Sequence, residues 1–475
     1  MYYRSLMELQ TLYQQLISCW SVLFDKRQSV YPLDNMNFSR EIFRNPLNVP
    51  RLMQDLPFEP GYFSPDSSSE LGSLVRILEI SRLSSFAKEK ARNVEKLVND
   101  AGLGLGNGTS NVVFNLIRTL ISIEKKKRPN VVIALPNYPV YYSQLLSLGI
   151  ETRIIQTSEE SLFLPTAHHV EEACDENTIA VLITFPNNPG QFTFHEKHGN
   201  VSELRNMVSH CQQNDVNLIV DNIYRDMVFE GHSVSSEPML IADTLKNLFV
   251  VYGPSKDTPF LSGYRLGYWI GDRRAEEKYR ELISATENCL NSVSTLAFAF
   301  YLLFTAKQFQ GTTKLFKEDF EFLKNGCLGW SSIIDPLAAL NLAESGQWLE
   351  NFISIRNESM NIQVRTLSQV SSFLQHSEVF APAFNGGAGN LILTGVDERY
   401  FTGTSLQLFD RLISEAKVGV LPAEVFGIDR LGDRYVPFRM TTVHDTPKNL
   451  IAGLERIEFA IKRQQRKQRI LATVS

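Results

Sequence analysis

The chain has 475 residues, of which 43% are hydrophobic and 21% charged, and its formal net charge is −5. This is the composition of an ordinary globular protein of two or three domains, and the mild acidic balance does not indicate a nucleic-acid or membrane partner. The five cysteines are widely spread without a CxxC pair, which argues against a disulfide framework or a zinc site and fits a reducing cytoplasm. The sequence therefore predicts a cytoplasmic protein that acts on small molecules.

Residues 1–60 are predicted to form an N-terminal arm that packs on the small domain or on a partner subunit. A helix comes first, and its apolar part, residues 16–24, is too short to span a bilayer and lacks the basic region and cleavage site of a signal peptide. The following segment, 31–60, is rich in proline and asparagine, which favours irregular structure.

A glycine-rich stretch, 102–111, follows two predicted helices and leads into an apolar run, 112–123, with helical spacing. It lacks the GxGxxG spacing and follows a helix, so it does not indicate a dinucleotide-binding strand and turn. Gly108, Thr109 and Ser110 precede the helix, where free N–H groups and two hydroxyls favour a phosphate. An ordinary N-cap would explain the same hydroxyls equally well.

Strands and helices then alternate along the chain. Buried strands are predicted at 131–135, 151–156, 179–185, 216–220 and 248–252, with helices at 140–148 and 201–213. This order predicts a mainly parallel sheet, which binds ligands at the carboxyl ends of its strands. Four polar residues follow such ends, so one pocket can contain them all: Tyr138, Asn188, Asp221 and Lys256.

After about residue 275 the pattern is helical, and a long helix at 347–373 is predicted to lead to a second domain. Short strands at 390–394, 418–421 and 436–440, with helices at 405–416 and 449–462, predict an α+β unit. The expected fold class is α/β, with a large domain at 61–305 and connecting helices plus a smaller C-terminal domain at 306–475. The basic tail, 462–469, is most simply a solvated helix end.

Three motifs stand in order at the predicted strand ends: PNNPG at 186–190, Asp221 with Tyr224, and Ser255-Lys256 with Arg265. In this ordered set the chain resembles the class I/II aminotransferases, the fold type I enzymes that use pyridoxal 5′-phosphate. The resemblance covers roughly residues 62–462. It implies a mainly parallel large domain, a smaller C-terminal domain and a homodimer.

The resemblance also implies the chemistry of the cofactor site. Lys256 would hold pyridoxal 5′-phosphate as a Schiff base and move the Cα proton of the substrate, and Asp221 would pair with the ring nitrogen. Asn188 and Tyr224 would hydrogen-bond the ring oxygen, and Tyr138 would stack on the ring. With Lys256, Asp221 and Tyr224 as the catalytic group, the reaction would move an amine between an amino acid and a 2-oxo acid.

Further residues are assigned to the phosphate and the substrate on the same ground. Gly108, Thr109, Ser110 and Arg265 would bind the phosphate, and Ser255 is grouped with the cofactor contacts. Arg439 would clamp the α-carboxylate of the substrate through two hydrogen bonds. Tyr62 resembles a tyrosine that reaches the phosphate of a neighbouring subunit.

The sequence departs from the family pattern beside the lysine. Gly253 stands where the family usually has a hydroxyl, Pro254 and Pro259 are unusual neighbours, and Arg265 lies one residue further along than in most members. No catalytic group is lost. The departures nevertheless leave open a lyase, decarboxylase, cyclase or oxidase of specialised amino-acid metabolism on the same fold, or a binding protein without catalysis. The spacing of His195 and His198 does not fit a metalloprotease helix, and no metal is expected.

Overall fold

The computed structural model of the chain describes residues 6–34, 36–47, 69–87, 93–227, 237–287, 289–316, 318–319 and 342–474. Tyr62 lies outside these residues, as do positions 48–60 of the predicted arm and most of the segment 309–342.

The first part of the chain builds the large sheet and its covering helices. Its elements are α1 (Leu6–Asp25), β1 (Tyr31–Pro32), α2 (Glu70–Phe86), α3 (Val94–Asp100), β2 (Gly102–Gly106), α4 (Thr109–Glu124), β3 (Asn130–Leu135), α5 (Val140–Ser147), β4 (Glu151–Gln156), α6 (Ala167–Ala173), β5 (Thr178–Thr184), α7 (Val201–Gln213), β6 (Asn217–Asp221), α8 (Pro238–Ile241), β7 (Leu248–Tyr252), β8 (Gly267–Gly271), α9 (Glu276–Glu287) and α10 (Ser292–Phe309).

The second part carries the long helix and the small sheet. Its elements are α11 (Leu342–His376), β9 (Leu391–Asp397), α12 (Ser405–Arg411), β10 (Val418–Gly419), β11 (Leu421–Pro422), β12 (Tyr435–Thr441) and α13 (Pro447–Val474). A π-helical turn, Leu412–Ala416, continues α12. The predicted strand at 418–421 is therefore two short strands, one paired with β1 and the other with β12.

The large sheet has seven strands in the order β2-β8-β7-β6-β5-β3-β4. Strands β3 to β7 pair in parallel, and β8 runs antiparallel to β7 and β2. Successive residues of β3 pack into two different cores: Val132 and Ala134 into one, and Val131 and Ile133 into the other. Both faces of the sheet are thus buried, which explains why its strands are continuous apolar runs.

Strands β2 and β8 correct the sequence-based reading. The sequence shows residues 102–111 only as a glycine-rich stretch and predicts no strand at 267–271, whereas the structure pairs 102–106 and 267–271 as antiparallel strands. The glycines are needed for close approach: a Cβ added to Gly104 would lie 2.1 Å from Nε1 of Trp269 and 2.6 Å from the ring of Tyr279. Glycine is unfavourable in strands in general, so the pattern hides the strand.

The N-terminal helix α1 packs along one face. Leu9 and Leu12 enter a core of the large sheet, whereas Leu16, Cys19 and Leu23 pack with Phe409, Val425 and other C-terminal residues. The spacing of three and four residues is that of one face of a helix. Among the described helices, none combines the length and apolar character needed to cross a membrane.

The three-stranded sheet β11-β12-β9 is antiparallel, and it faces its own core against α11, α12 and α13. The segment after α1 joins this part of the molecule, since β1 pairs in parallel with Val418–Gly419. The N-terminal segment therefore lies beside strand β12, which carries Arg439.

Candidate active site

A cavity of about 350 Å³ lies where the carboxyl ends of β3, β5, β6 and β7 meet. Of the eleven residues predicted for the site, ten line it: Thr109, Ser110, Tyr138, Asn188, Asp221, Tyr224, Ser255, Lys256, Arg265 and Arg439. Gly108 adjoins the cavity through Arg265, because a Cβ at this glycine would lie 2.6 Å from the guanidinium Nη2.

Lys256 and Asp221 have opposite charge and perturbed pKa values. Burial lowers the pKa of Lys256 to about 8, helped by the positive charges of Arg439 and Arg265, while Asp221 acts in the other direction. Burial raises the pKa of Asp221 to about 6, although hydrogen bonds and Lys256 oppose the shift. Lys256 can therefore supply a neutral amine near neutral pH, as nucleophilic and proton-transfer chemistry requires.

The glycines around the N-terminus of α4 make room for an anion. Gly108 has φ +93°, and Arg265, itself at φ 54°, approaches it with its guanidinium. A Cβ on Gly267 would lie 2.9 Å from the backbone nitrogen of Thr109. Backbone N–H groups, hydroxyls and a guanidinium thus converge where a phosphate would bind.

The same crowding explains the glycine that departs from the family pattern. A Cβ on Gly253 would lie 2.7 Å from the carbonyl oxygen of Leu266 and 3.1 Å from the Thr109 methyl carbon. A serine or threonine would therefore not fit at this position without backbone movement. The hydroxyls available here come from Thr109, Ser110 and Ser255, which all line the cavity.

Two uncharged polar residues of the site are buried. Asn188, only 4% exposed, has no hydrogen-bond partner for its Oδ1 atom among the described residues. Tyr224 is 3% exposed, and burial raises the pKa of its hydroxyl, so it remains a neutral donor. A buried polar atom without a partner is costly, so Asn188 indicates that a ligand completes the site.

Arg439 is a buried cation on β12. Arg439 is 6% exposed, and its guanidinium lies 5.1 Å above the ring centre of Phe426. Its Nε has no hydrogen-bond partner in the described part of the chain. Burial lowers the pKa of Arg439, opposed by Tyr224, Asp34 and Tyr138. A bound carboxylate would accept hydrogen bonds from this guanidinium and balance its positive charge.

Seven further residues, which the sequence did not bring to attention, also line the cavity: Trp20, Asp34, Met36, Tyr141, Thr184, Ile223 and Ser262. Tyr141 donates a hydrogen bond of 2.6 Å to Oδ2 of Asp221 and packs edge-on against Tyr138 at 5.5 Å. Its position three residues after Tyr138, in the first turn of α5, is the one sequence signal for it. Trp20, Asp34 and Met36 come from the N-terminal segment, and the packing and pairing of this segment with the C-terminal part of the chain place them here.

These features fit the phosphorylated pyridine cofactor predicted from the sequence. An amine, a carboxylate, an unsatisfied amide oxygen and a glycine-lined anion cradle occupy one cavity, which is the donor set that such a cofactor requires. Among the described residues there is no group of histidine, cysteine and carboxylate side chains that could hold a metal ion. The segment Glu196–His198 is a short 3₁₀ turn.

Comparison with known sequences identifies the family. The family profile described as "Aminotransferase class I and II" matches residues 80–457. The aspartate aminotransferase of Thermotoga maritima is 23% identical over 212 residues, which make up 45% of this chain and 53% of that protein. The asparagine–oxo-acid transaminase of Streptococcus mutans is 24% identical over 194 residues, 41% of this chain and 47% of the relative. The match thus spans about half the length of these relatives.

Solved structures share the fold over nearly the whole chain. The aspartate aminotransferase from Rhizobium meliloti superimposes with a TM-score of 0.65 at 18% identity and covers 94% of this chain and 96% of its own. That of Thermotoga maritima gives a TM-score of 0.63 at 17% identity, with 94% and 96% covered. The predicted α/β fold with a mainly parallel sheet and a small C-terminal sheet is confirmed. By its sequence profile, the chain belongs to the class I and II aminotransferases, a family of pyridoxal-phosphate enzymes.

Proposed function

We propose that this protein is a pyridoxal-phosphate-dependent aminotransferase that moves an amine between an amino acid and a 2-oxo acid. The observation that carries the proposal is the cavity in which Lys256, Asp221 and Arg439 meet beside the glycine-lined cradle. The relatives that match the chain are named as aminotransferases, which favours this reaction over the lyase, decarboxylase, cyclase or oxidase alternatives.

Each group of cofactor-binding residues has a separate task. Thr109, Ser110 and Arg265 would bind the phosphate, and the room left by Gly108 lets the guanidinium approach. Tyr138 would cover one face of the ring, and Asn188 would satisfy its buried Oδ1 through the ligand. When bound, the cofactor supplies an electron sink for the pair released from the Cα–H bond.

The remaining tasks concern protons and the substrate. Asp221 would hold the ring nitrogen in its protonated state, and Tyr141 positions its carboxylate by the 2.6 Å hydrogen bond. Tyr224 would donate to the ring oxygen from its buried position. Arg439 would bind the α-carboxylate and so orient Cα toward Lys256. The neutral amine of Lys256 would then take the Cα proton and deliver it across the amine nitrogen, to the former aldehyde carbon of the cofactor, as the transfer of the amine requires.

The assembly and location belong to the same proposal. The family resemblance supports a homodimer, in which Tyr62 of one subunit would reach the other's phosphate. The described cysteines are free, which supports a cytoplasmic location. The division into an arm at 1–60, a large domain at 61–305 and a small domain at 306–475 remains a prediction.

The test is a half-reaction on the holoenzyme. A panel of amino acids is added without a 2-oxo acid, and cofactor absorbance, 2-oxo acid, ammonia, CO₂ and peroxide are followed. We expect at least one amino acid to shift the cofactor spectrum and yield its own 2-oxo acid, and a second 2-oxo acid to restore the spectrum. Lys256→Ala should abolish the change, whereas Lys246→Ala, at an exposed position, should not. A panel in which no donor shifts the spectrum would refute transamination, and release of ammonia, CO₂ or peroxide would identify an alternative reaction.

A further inference from the structure

The N-terminal segment supplies a wall of the cavity that the cofactor contacts do not use. Trp20 of α1, Asp34 and Met36 all line the cavity that also contains Lys256 and Arg439. The wall therefore combines an indole ring, a thioether and a carboxylate. The ring face, the ring nitrogen and the phosphate are already assigned to Tyr138, Asp221 and the anion site, so this wall is left to contact the side chain of the substrate.

Asp34 is held in this wall by the backbone just before it, which bonds to two different strands. Strand β1, just before it, pairs with Val418–Gly419, and the carbonyl oxygen of Leu33 accepts a hydrogen bond of 2.8 Å from the backbone nitrogen of Thr441. Thr441 follows Arg439 by two residues on β12. The contacts thus fix Asp34 near Arg439 whatever its own side chain binds.

Among the described residues, no ion pair is formed by the carboxylate of Asp34. Its Oδ1 atom is buried, and no described residue hydrogen-bonds to it. Burial raises the pKa of Asp34, while the charge of Arg439, a hydrogen bond from the backbone of Asp34 itself and the charges of His444 and Arg27 oppose the shift. Arg27 is exposed, and burial lowers the pKa of His444, so neither places a fixed cation in the cavity.

The charges of the cavity can be matched one by one with those of the cofactor and an amino acid. The lining residues that carry charge are Lys256, Arg265, Arg439, Asp221 and Asp34. Arg265 would bind the phosphate, and Asp221 would pair with the ring nitrogen. Lys256 would bind the aldehyde carbon of the cofactor, and Arg439 would bind the α-carboxylate. Of these lining charges only Asp34 then has no counterpart, and its buried Oδ1 atom without a described hydrogen-bond partner is costly.

We propose that Asp34 selects amino acids whose side chain ends in a cation, which it would bind while Arg439 holds the α-carboxylate. This inference rests on the proposed aminotransferase function. An ammonium or guanidinium at the end of a methylene chain fits the wall as a whole, because Trp20 and Met36 can pack against the apolar stem. The same carboxylate would repel the second carboxylate of a dicarboxylic amino acid.

The experiment compares pairs of amino acids that differ only in the terminal amine. For the holoenzyme, kcat and KM are measured with L-lysine against L-norleucine and with L-ornithine against L-norvaline. We expect the wild type to favour the amine of each pair by about tenfold or more in kcat/KM, the size of one charge-assisted contact. Asp34→Asn should bring both ratios close to one, mainly through KM. Asp215→Asn, at an exposed aspartate in the turn between α7 and β6, should keep the wild-type ratios.

A binding measurement separates this inference from the reaction itself. The 2-methyl analogues of the same amino acids have no Cα proton to lose, so tryptophan fluorescence reports their dissociation constants without turnover. If no amino acid is transaminated, the proposed function fails, while preferential binding of the cationic analogue would still support Asp34. Equal binding of both analogues by the wild type, or equal losses for both in Asp34→Asn, would overturn the selection by Asp34. Asp34→Ser, checked by melting temperature, serves if the asparagine variant does not fold.

Discussion

Lys256 shows how a single side chain is tuned by its surroundings. Burial and two nearby guanidinium groups lower its pKa from 10.5 to about 8. Below this pKa the lysine is mainly an ammonium, which cannot attack a carbonyl. Above this pKa it is mainly the free amine, which can. The protein thus obtains at neutral pH a nucleophile that an exposed lysine would provide only in strong base.

We expect Lys256 of the cofactor-free protein to react with trinitrobenzenesulfonate with a midpoint near pH 8. At that pH about half of Lys256 is neutral, compared with roughly 1% or less of an ordinary lysine. Peptide mass spectrometry gives the extent of labelling at each pH, with exposed Lys246 as the internal control. Arg439→Met should raise the midpoint, since it removes a cation that disfavours the ammonium. A midpoint equal to that of Lys246 would contradict the assignment.

Tyr141 offers a second test at the scale of one side chain. Its hydroxyl stabilises the charged form of Asp221, whose pKa burial raises to about 6. Tyr141→Phe should raise this pKa further, so that the acid limb of the kcat/KM profile moves to higher pH. At pH 7 we expect a loss of about tenfold in kcat/KM, as for a hydrogen bond to a charged group. Tyr142→Phe, which removes a buried hydroxyl bonded to the carbonyl oxygen of Asn137, should leave the limb in place.

At the scale of elements, the loop between β2 and α4 has room for an anion because Gly108 has no side chain. Gly108 has φ +93°, and its missing side chain leaves room for the Arg265 guanidinium. Asn107 and Asn111 hydrogen-bond the carboxylate of Glu287 at the end of α9, which fixes the loop from behind. The position of the anion site therefore depends on three separate segments: the loop before α4, the segment that carries Arg265, and the end of α9.

Gly108→Ala should weaken binding of pyridoxal 5′-phosphate by about tenfold or more, because the added methyl displaces the guanidinium from the phosphate position. Binding of pyridoxal, which has no phosphate, should change little. Gly149→Ala is the matched control, since Gly149 also has positive φ but no atom within 4 Å of an added Cβ. Dissociation constants come from absorbance titration of the cofactor-free protein. Equal losses for both ligands would show that the variant acts through general strain.

The elements also show what could be predicted from sequence. Strand 248–252 and helix 201–213 have the predicted bounds, because apolar runs and helical spacing report burial directly. Strands β2 and β8 were missed, because their glycines carry no strand pattern: Gly104 makes room for Trp269 and Tyr279, and Gly267 and Gly271 for the backbone of Thr109 and Leu248. Asp34 was missed for another reason: its place in the cavity depends on pairing of β1 with a strand nearly 400 residues away in sequence.

The whole molecule is held together around the cavity by buried ion pairs. Asp257, next to the lysine, accepts a 2.7 Å hydrogen bond from Arg356 of α11 and one of 2.9 Å from Tyr301 of α10. Arg82, which lies on α2, forms further buried ion pairs with Asp226 and Glu237. The long helix that leads to the small sheet is thus tied electrostatically to the loop that carries Lys256.

Arg356→Met should lower the free energy of unfolding by about 3–5 kcal/mol, because it leaves Asp257 buried without its cation. Burial already raises the pKa of Asp257 and Arg356 opposes this, so the variant raises it further. A group with a raised pKa stabilises the fold at low pH and loses that contribution as pH rises through its folded-state pKa. The deficit should therefore be larger at pH 8 than at pH 5.

Urea unfolding of the cofactor-free protein, followed by circular dichroism, measures this deficit at both pH values. Arg365→Met is the control on the same helix, because Arg365 is exposed and bonds only a carbonyl of its own helix among the contacts described for it. It should change stability by about 0.5 kcal/mol or less. Equal stability of the two variants at pH 8 would mean that the Asp257–Arg356 pair does not hold the long helix to the lysine loop. A deficit that does not depend on pH would instead point to lost packing of the arginine stem against Tyr301 and Phe352.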